Sequence, residues 1–131
     1  MVLVDSSVWI DWFNAKDTVQ TRKLDDLTGS TILLIGDLIL LEVLQGFRDQ
    51  RAYDKARTTL RSLEPLDIGG HDAAEQAARH YRGLREKGIT VRKTIDVLIA
   101  TRCIMERIPL LYSDRDFDPF VEHLGLLNAI T

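Results

Sequence analysis

The stretch Val2-Leu3-Val4-Asp5-Ser6-Ser7-Val8-Trp9-Ile10-Asp11-Trp12-Phe13 changes its periodicity at Asp5. Before that residue, three consecutive apolar side chains predict a short strand buried on both faces. After it, Val8, Trp9, Trp12 and Phe13 recur at helical spacing, and Ser6 or Ser7 is expected to cap the helix. The aromatic stripe is read as helix core, with a groove for a partner's amphipathic helix as the alternative. A strand that passes directly into a helix is the opening unit of an α/β domain.

The same unit repeats along the chain. Residues 17–28 have the pattern of a short helix, Thr31 to Ile35 that of a second strand, and Gly36 a break. Asp37 is expected to cap a helix reaching about Phe47. Tyr53, Ala56, Leu60 and Leu63 mark another helix, after which Pro65 interrupts and Leu66 to Ile68 read as an edge strand. Ala74, Ala77, Ala78, Tyr81 and Leu84 form a further stripe that stops near Gly88. Thr94 is expected to cap a helix running to about Arg107, Pro109 to open the strand Leu110 to Tyr112, and a short helix to follow Phe120. Leu126-Leu127 adds a last strand on this reading. Short apolar strands joined by helices suit a parallel sheet, because each parallel return needs a crossover and buries the strand on both sides. The expected class is α/β: one domain over residues 1–131, with a central parallel sheet of four or five short strands and helices on both faces.

Four acids interrupt this apolar scaffold. Asp5 closes the first strand, Glu42 sits inside Leu38-Ile39-Leu40-Leu41-Glu42-Val43-Leu44, Asp96 inside Ile95-Asp96-Val97-Leu98-Ile99-Ala100, and Asp114 after Leu110-Leu111-Tyr112-Ser113. Carboxylates are rarely buried without a partner, since desolvating one costs several kcal/mol or neutralises it. Taken singly, each has an ordinary explanation as a cap, an ion pair or a turn residue. Jointly they point to a shared cation, because converging like charges resist ionising unless something neutralises them. Oxygen ligands select a hard ion such as Mg²⁺ or Mn²⁺, one or two in number. His71, His80 and His123 have no metal-ligand spacing to one another or to Cys103, so zinc fits poorly, and the histidines are read as surface or cap residues.

Composition limits the other classes. The chain has 131 residues, 45% of them hydrophobic, and a formal net charge of −3, which argues against nonspecific coating of nucleic acid. Basic residues are nonetheless clustered: Arg79, Arg82, Arg85, Lys87, Arg92 and Lys93 face only Glu86 between residues 76 and 93. An acidic centre beside basic surface suits metal-assisted attack of water on a phosphodiester. Cys103 is the single cysteine, so no internal disulfide forms, and its neighbours make it a buried small hydrophobe. No apolar run is long enough for a membrane span and no leader pattern opens the chain, so a cytoplasmic location without membrane attachment is expected. There is no Gly-x-Ser-x-Gly elbow and no glycine-rich phosphate loop. A phosphorelay receiver would have neighbouring acids after the first strand, and an aspartyl phosphatase an acid at position 7; Ser6 and Ser7 stand there instead.

These motifs together resemble the PIN-domain ribonucleases, and more narrowly the VapC-type toxins of bacterial type II toxin–antitoxin pairs. The resemblance runs the length of the chain through the Asp5-Ser6-Ser7-Val8-Trp9-Ile10 segment, the buried Glu42, the Thr94-Ile95-Asp96-Val97-Leu98-Ile99-Ala100 segment and Ser113-Asp114-Arg115-Asp116-Phe117-Asp118. It implies that Asp5, Glu42, Asp96 and Asp114 hold Mg²⁺ or Mn²⁺ and activate the attacking water, that Asp116 adds a fifth acid near the metal, and that Ser6 and Ser113 are hydroxyls of the same motifs. It further implies endonucleolytic cleavage of structured RNA such as tRNA or rRNA, inhibition of translation, a small antitoxin protein as partner, and a homodimer. Arg92, Lys93, Arg102 and Arg115 flank the acidic motifs and are the expected RNA-phosphate contacts. The alternatives are a catalytically silent interaction module of the same fold and a nuclease directed at DNA.

Overall fold

Four short strands pair in parallel, and three of them are unbroken apolar runs. The computed structural model describes residues 1–130. Along the chain these form β1 (Val2–Val4), α1 (Ser6–Phe13), α2 (Val19–Leu27), β2 (Leu33–Gly36), α3 (Asp37–Gln45) and α4 (Gln50–Arg61). They continue as β3 (Glu64–Leu66), α5 (His71–Glu86), α6 (Thr94–Glu106), β4 (Leu110–Leu111), a 3-10 turn over Arg115–Phe117, and α7 (Asp118–Leu124). Every residue of β1 and β2 is buried, alternate positions included, so helices cover both faces of the sheet as the unbroken apolar runs require.

The strand order positions the site. The chain builds outward from β1 to β2 and β3, then returns to lay β4 on the other side of β1, in register Leu3↔Leu110 and Val4↔Leu111. Where connections leave a sheet in opposite directions, a crevice opens outside the carboxyl ends of the strands. Asp5 lies at that end of β1, its amide bonded to the Leu111 carbonyl at 2.9 Å, and Asp114 follows β4 three residues on. The core beneath includes Leu3, Val4, Ile39, Ile99, Leu110, Leu111, Phe117 and Phe120, all fully enclosed.

Several local expectations are corrected. Asp5 itself caps α1, accepting from the Ser7 amide, in place of Ser6 or Ser7. Gly36 occupies the cap of α3; Asp37 is its first residue, and the Asp37 carboxylate accepts from the Leu38 and Ile68 amides at 2.9 Å each. That second bond ties α3 to the segment after β3. Lys93, rather than Thr94, is the cap of α6. The third strand starts at Glu64 and contains Pro65, which an edge position tolerates because only one side of the strand is paired. Leu126-Leu127 makes no strand: Leu127 O accepts from Leu110 N and a single parallel bridge joins Leu110 to Asn128, so the sheet has four strands.

The stripe on α1 proves to be core at Trp9, which is buried and packs its ring at 5.7 Å from Trp12 and 5.9 Å from Phe13. Trp12 is half-buried and donates to Asp25 at 3.0 Å. His80 is buried rather than superficial, its Nδ1 2.9 Å from the Thr101 hydroxyl across α5 and α6, and burial pushes its pKa down. Cys103 is enclosed as expected, its thiol pushed up to about 12 by burial. No helix among the described residues is long and apolar enough to cross a membrane.

Candidate metal centre

Each acid reaches the crevice by a different element. Asp5 is delivered by the end of β1 and is only 3% exposed. One of its oxygens, Oδ2, accepts from the Ser7 amide at 3.2 Å and the Ser7 hydroxyl at 2.6 Å; the other, Oδ1, is buried with no partner. Glu42 comes from the middle of α3, half-buried, with Oε1 accepting from the Ser6 hydroxyl at 3.3 Å. Asp96 lies in the first turn of α6, where free amides favour a carboxylate, yet it is 4% exposed and its Oδ2 has no partner. Asp114 caps the 3-10 turn, its Oδ1 accepting from the Asp116 amide at 2.9 Å. That cap turns Asp116 back toward the same crevice.

Asp96, Asp114 and Asp116 each bring a carboxylate oxygen within 4.8 Å of the others. Asp5 and Glu42 stand outside this tightest trio, Asp5 coupled to it through Asp114 and Glu42 coupled to Asp5. Asp5 is pushed above the ordinary carboxylate range by burial and, less strongly, by Asp114; Glu42 is raised by burial and by Asp5. Asp96 rises to about 7, chiefly through burial, then through Asp5, Asp114 and Glu42, with Lys93 opposing. Mutual influence of this kind requires the groups to be close.

Among the described residues, five buried side-chain polar atoms lack a hydrogen bond, and four of them belong here: Asp5 Oδ1, Asp96 Oδ2, Ser113 Oγ and Asp116 Oδ2. The Asp116 oxygen is 3.6 Å from Arg92, an ion pair too long for a hydrogen bond. With only Trp9 Nε1 buried and unpartnered elsewhere among the described residues, this concentration of orphaned oxygens needs a cause. A hard divalent cation fits, because it bonds carboxylate oxygens and removes their repulsion. The donor set is all oxygen, which suits Mg²⁺ or Mn²⁺.

The basic candidates divide. Lys93 Nζ lies 3.5 Å from Asp114 Oδ2, and Asp96 and Asp114 hold its pKa above the ordinary lysine value. Arg92 pairs with Asp116, so it and Lys93 stand at the acids, while Arg115 is exposed in the turn between Asp114 and Asp116 and makes no ion pair among the described residues. Arg102 does not join them. It is six residues further along α6, donates to the Ile68 and Gly69 carbonyls at 3.1 and 2.8 Å, and pairs with Glu106; with 15% of its side chain exposed, it braces the β3–α5 connection. Asp118 is likewise structural, accepting from the Tyr112 hydroxyl at 2.7 Å. Sequence reasoning passed over Ser7, although a hydroxyl two residues beyond a strand-end aspartate is a recognisable local acceptor-and-donor pattern.

Comparison with known proteins identifies the family and the fold. The sequence profile of the PIN domain matches residues 2–121. The chain is 30% identical over 132 residues to VapC ribonuclease Mb1587 of Mycobacterium bovis and to Ribonuclease VapC11 of Mycobacterium tuberculosis, in both cases covering 98% of each chain. Its fold is similar to that of VapBC2 from Rickettsia felis, solved bound to a DNA fragment from their promoter, with a TM-score of 0.77 at 18% identity over 98% of this chain and 97% of that one. It is also similar to Mycobacterium tuberculosis VapC20, a sarcin-ricin loop cleaving toxin, with a TM-score of 0.67 at 20% identity over 91% and 94%. With the family profile spanning most of the sequence and the relatives covering it end to end, the chain belongs to the PIN-domain family and stands with its VapC ribonucleases.

Proposed function

We propose that this chain is a metal-dependent endoribonuclease, the toxin of a toxin–antitoxin pair, which hydrolyses phosphodiester bonds in structured RNA such as tRNA or rRNA and so inhibits translation. The observation that carries this reading is the gathering of orphaned buried oxygens from Asp5, Asp96 and Asp116 beside Asp114 and Glu42 at one sheet edge. Relatives named as ribonucleases supply the reaction class.

On this reading Asp5, Glu42, Asp96 and Asp114 hold the Mg²⁺ or Mn²⁺, with Asp116 in reach. When bound, the ion supplies the positive charge that keeps these carboxylates ionised and polarises water and phosphate oxygen for in-line displacement. The chain's own residues do the rest. Lys93, Arg92 and Arg115 present cations at the rim, where phosphates flanking the scissile bond would lie. Ser6 holds Glu42 in place, and Ser113 offers an unpaired hydroxyl beside Asp114. The solved neighbours include toxin–antitoxin complexes, which supports an antitoxin as protein partner; a homodimer in the cytoplasm completes the reading.

The test is cleavage of total cellular RNA by purified protein in Mg²⁺ or Mn²⁺, with single-stranded DNA in parallel and 5′ ends mapped. Asp5→Asn and Asp96→Asn are expected to lose activity by at least about a hundredfold while keeping the native circular dichroism spectrum. Equal cleavage by wild type and both variants, or by wild type in excess chelator, would refute metal-dependent chemistry at this centre. Cleavage confined to DNA would refute the substrate.

A further inference from the structure

Ser7 joins the two halves of the acidic centre. Its hydroxyl donates to Asp5 Oδ2 at 2.6 Å and accepts from the Ser113 amide at 3.2 Å, a link between positions 106 residues apart in the chain. Its own amide donates to the same Asp5 oxygen at 3.2 Å. Both hydrogen bonds to Asp5 Oδ2 thus come from Ser7, with the Ser6 amide a weaker neighbour of the carboxylate, while Oδ1 is left buried and unpartnered. A carboxylate free to turn about its Cβ–Cγ bond would share such donors between both oxygens. Two donors fixed on one oxygen hold the group in a single orientation and reserve the other oxygen for something else.

The second bond sets a distance as well as an orientation. Ser113 precedes Asp114, whose carboxylate caps the turn that brings Asp116 back. Anchoring the Ser113 amide to α1 thus fixes where the β4 acids stand relative to Asp5. A residue that served only to cap α1 would not reach across to the loop after β4. The sequence supplies a short hydroxyl in the first turn of α1, where it can meet both Asp5 and the neighbouring strand's exit.

We propose that Ser7 is the positioning residue of the metal centre: it presents Asp5 Oδ1 to the cation and locks the Asp114–Asp116 turn at the matching separation. This rests on the reading of the site as a divalent-metal centre. Ser7 acts through Asp5 and the Ser113 amide, the partners its hydroxyl holds. Removal of the hydroxyl takes away the shortest hydrogen bond to Asp5 and releases the Ser113 amide, so the ligands must be ordered at the moment of binding instead of beforehand. Loss of such an orienting partner lowers metal affinity by roughly 10–100-fold.

The experiment is calorimetric titration of the full chain with Mn²⁺ alone, without RNA, for wild type, Ser7→Ala and Ser7→Thr, with melting curves of each metal-free protein. Ser7→Ala is expected to raise the Mn²⁺ Kd by about tenfold or more, and Ser7→Thr, which keeps the hydroxyl, to stay within about threefold of wild type. Equal Mn²⁺ affinity in Ser7→Ala and wild type would overturn the proposal, even with a lowered metal-free melting temperature, since that pattern belongs to a residue that only stabilises the fold. Equal weakening in Ser7→Thr and Ser7→Ala would overturn it too, because the hydroxyl would then not be the cause. A wild-type protein that takes up no Mn²⁺ would instead refute the metal centre itself.

Discussion

At Asp96 a carboxylate is buried among other acids, at a cost to the metal-free fold. Its pKa is raised from 3.8 to about 7, so the metal-free folded state holds a proton that the unfolded chain releases near pH 4. For an acid with a raised folded pKa, stability is fully present below the unfolded value and is lost as pH rises through the folded one. Asp5 and Glu42 are shifted in the same direction and add to the slope. The metal-free melting temperature is expected to fall by several degrees between pH 5 and pH 8, measured by calorimetry in chelator. Asp96→Asn, which removes the buried charge, should flatten that fall and be more stable than wild type at pH 8. A flat profile for wild type would contradict the crowding of acids.

At this scale the sequence was most informative about what is costly. Asp5, Glu42, Asp96 and Asp114 could be singled out because each carboxylate interrupts an apolar run, and burial of charge demands a reason. Arg102 was misplaced because nearness in sequence to Asp96 says nothing about direction along a helix, and its guanidinium serves carbonyls of the β3–α5 connection. Ser7 was not legible as a bridge, since its second partner is the Ser113 amide, brought near only by strand pairing.

Among the elements, apolar runs located β1, β2 and β4 well, while caps and ends shifted by a residue or two. The reason is that a cap is chosen by where a side chain ends up in three dimensions. Asp37, for instance, spends one oxygen on the Leu38 and Ile68 amides together rather than on capping α3 alone. Pro65 was read as a barrier, yet an edge strand leaves one side unpaired. The element-level consequence can be checked through the brace formed by Arg102. Arg102→Ala leaves the Ile68 and Gly69 carbonyls without these donors, and is expected to cost about 1–3 kcal/mol in chemical denaturation while retaining RNA cleavage. Loss of cleavage with unchanged stability would return Arg102 to the substrate surface.

For the whole molecule, the α/β class was readable from the alternation of strand and helix patterns, but the order β3-β2-β1-β4 was not. That order depends on which strand edge each crossover reaches, and it is what creates the crevice between the ends of β1 and β4. On the proposed reading, cation binding at that crevice would tie folding to metal concentration. At a hundred times its Kd, Mn²⁺ is expected to stabilise the folded state by about 2.7 kcal/mol, read as a rise in melting temperature that Asp96→Asn abolishes. The most direct measurement is the anomalous difference density of crystals grown with Mn²⁺. A peak bridging the Asp5 and Asp96 carboxylates and the Asp114–Asp116 turn is the expected result; Mn²⁺ bound elsewhere, with that crevice empty at saturating metal, would contradict a shared cation.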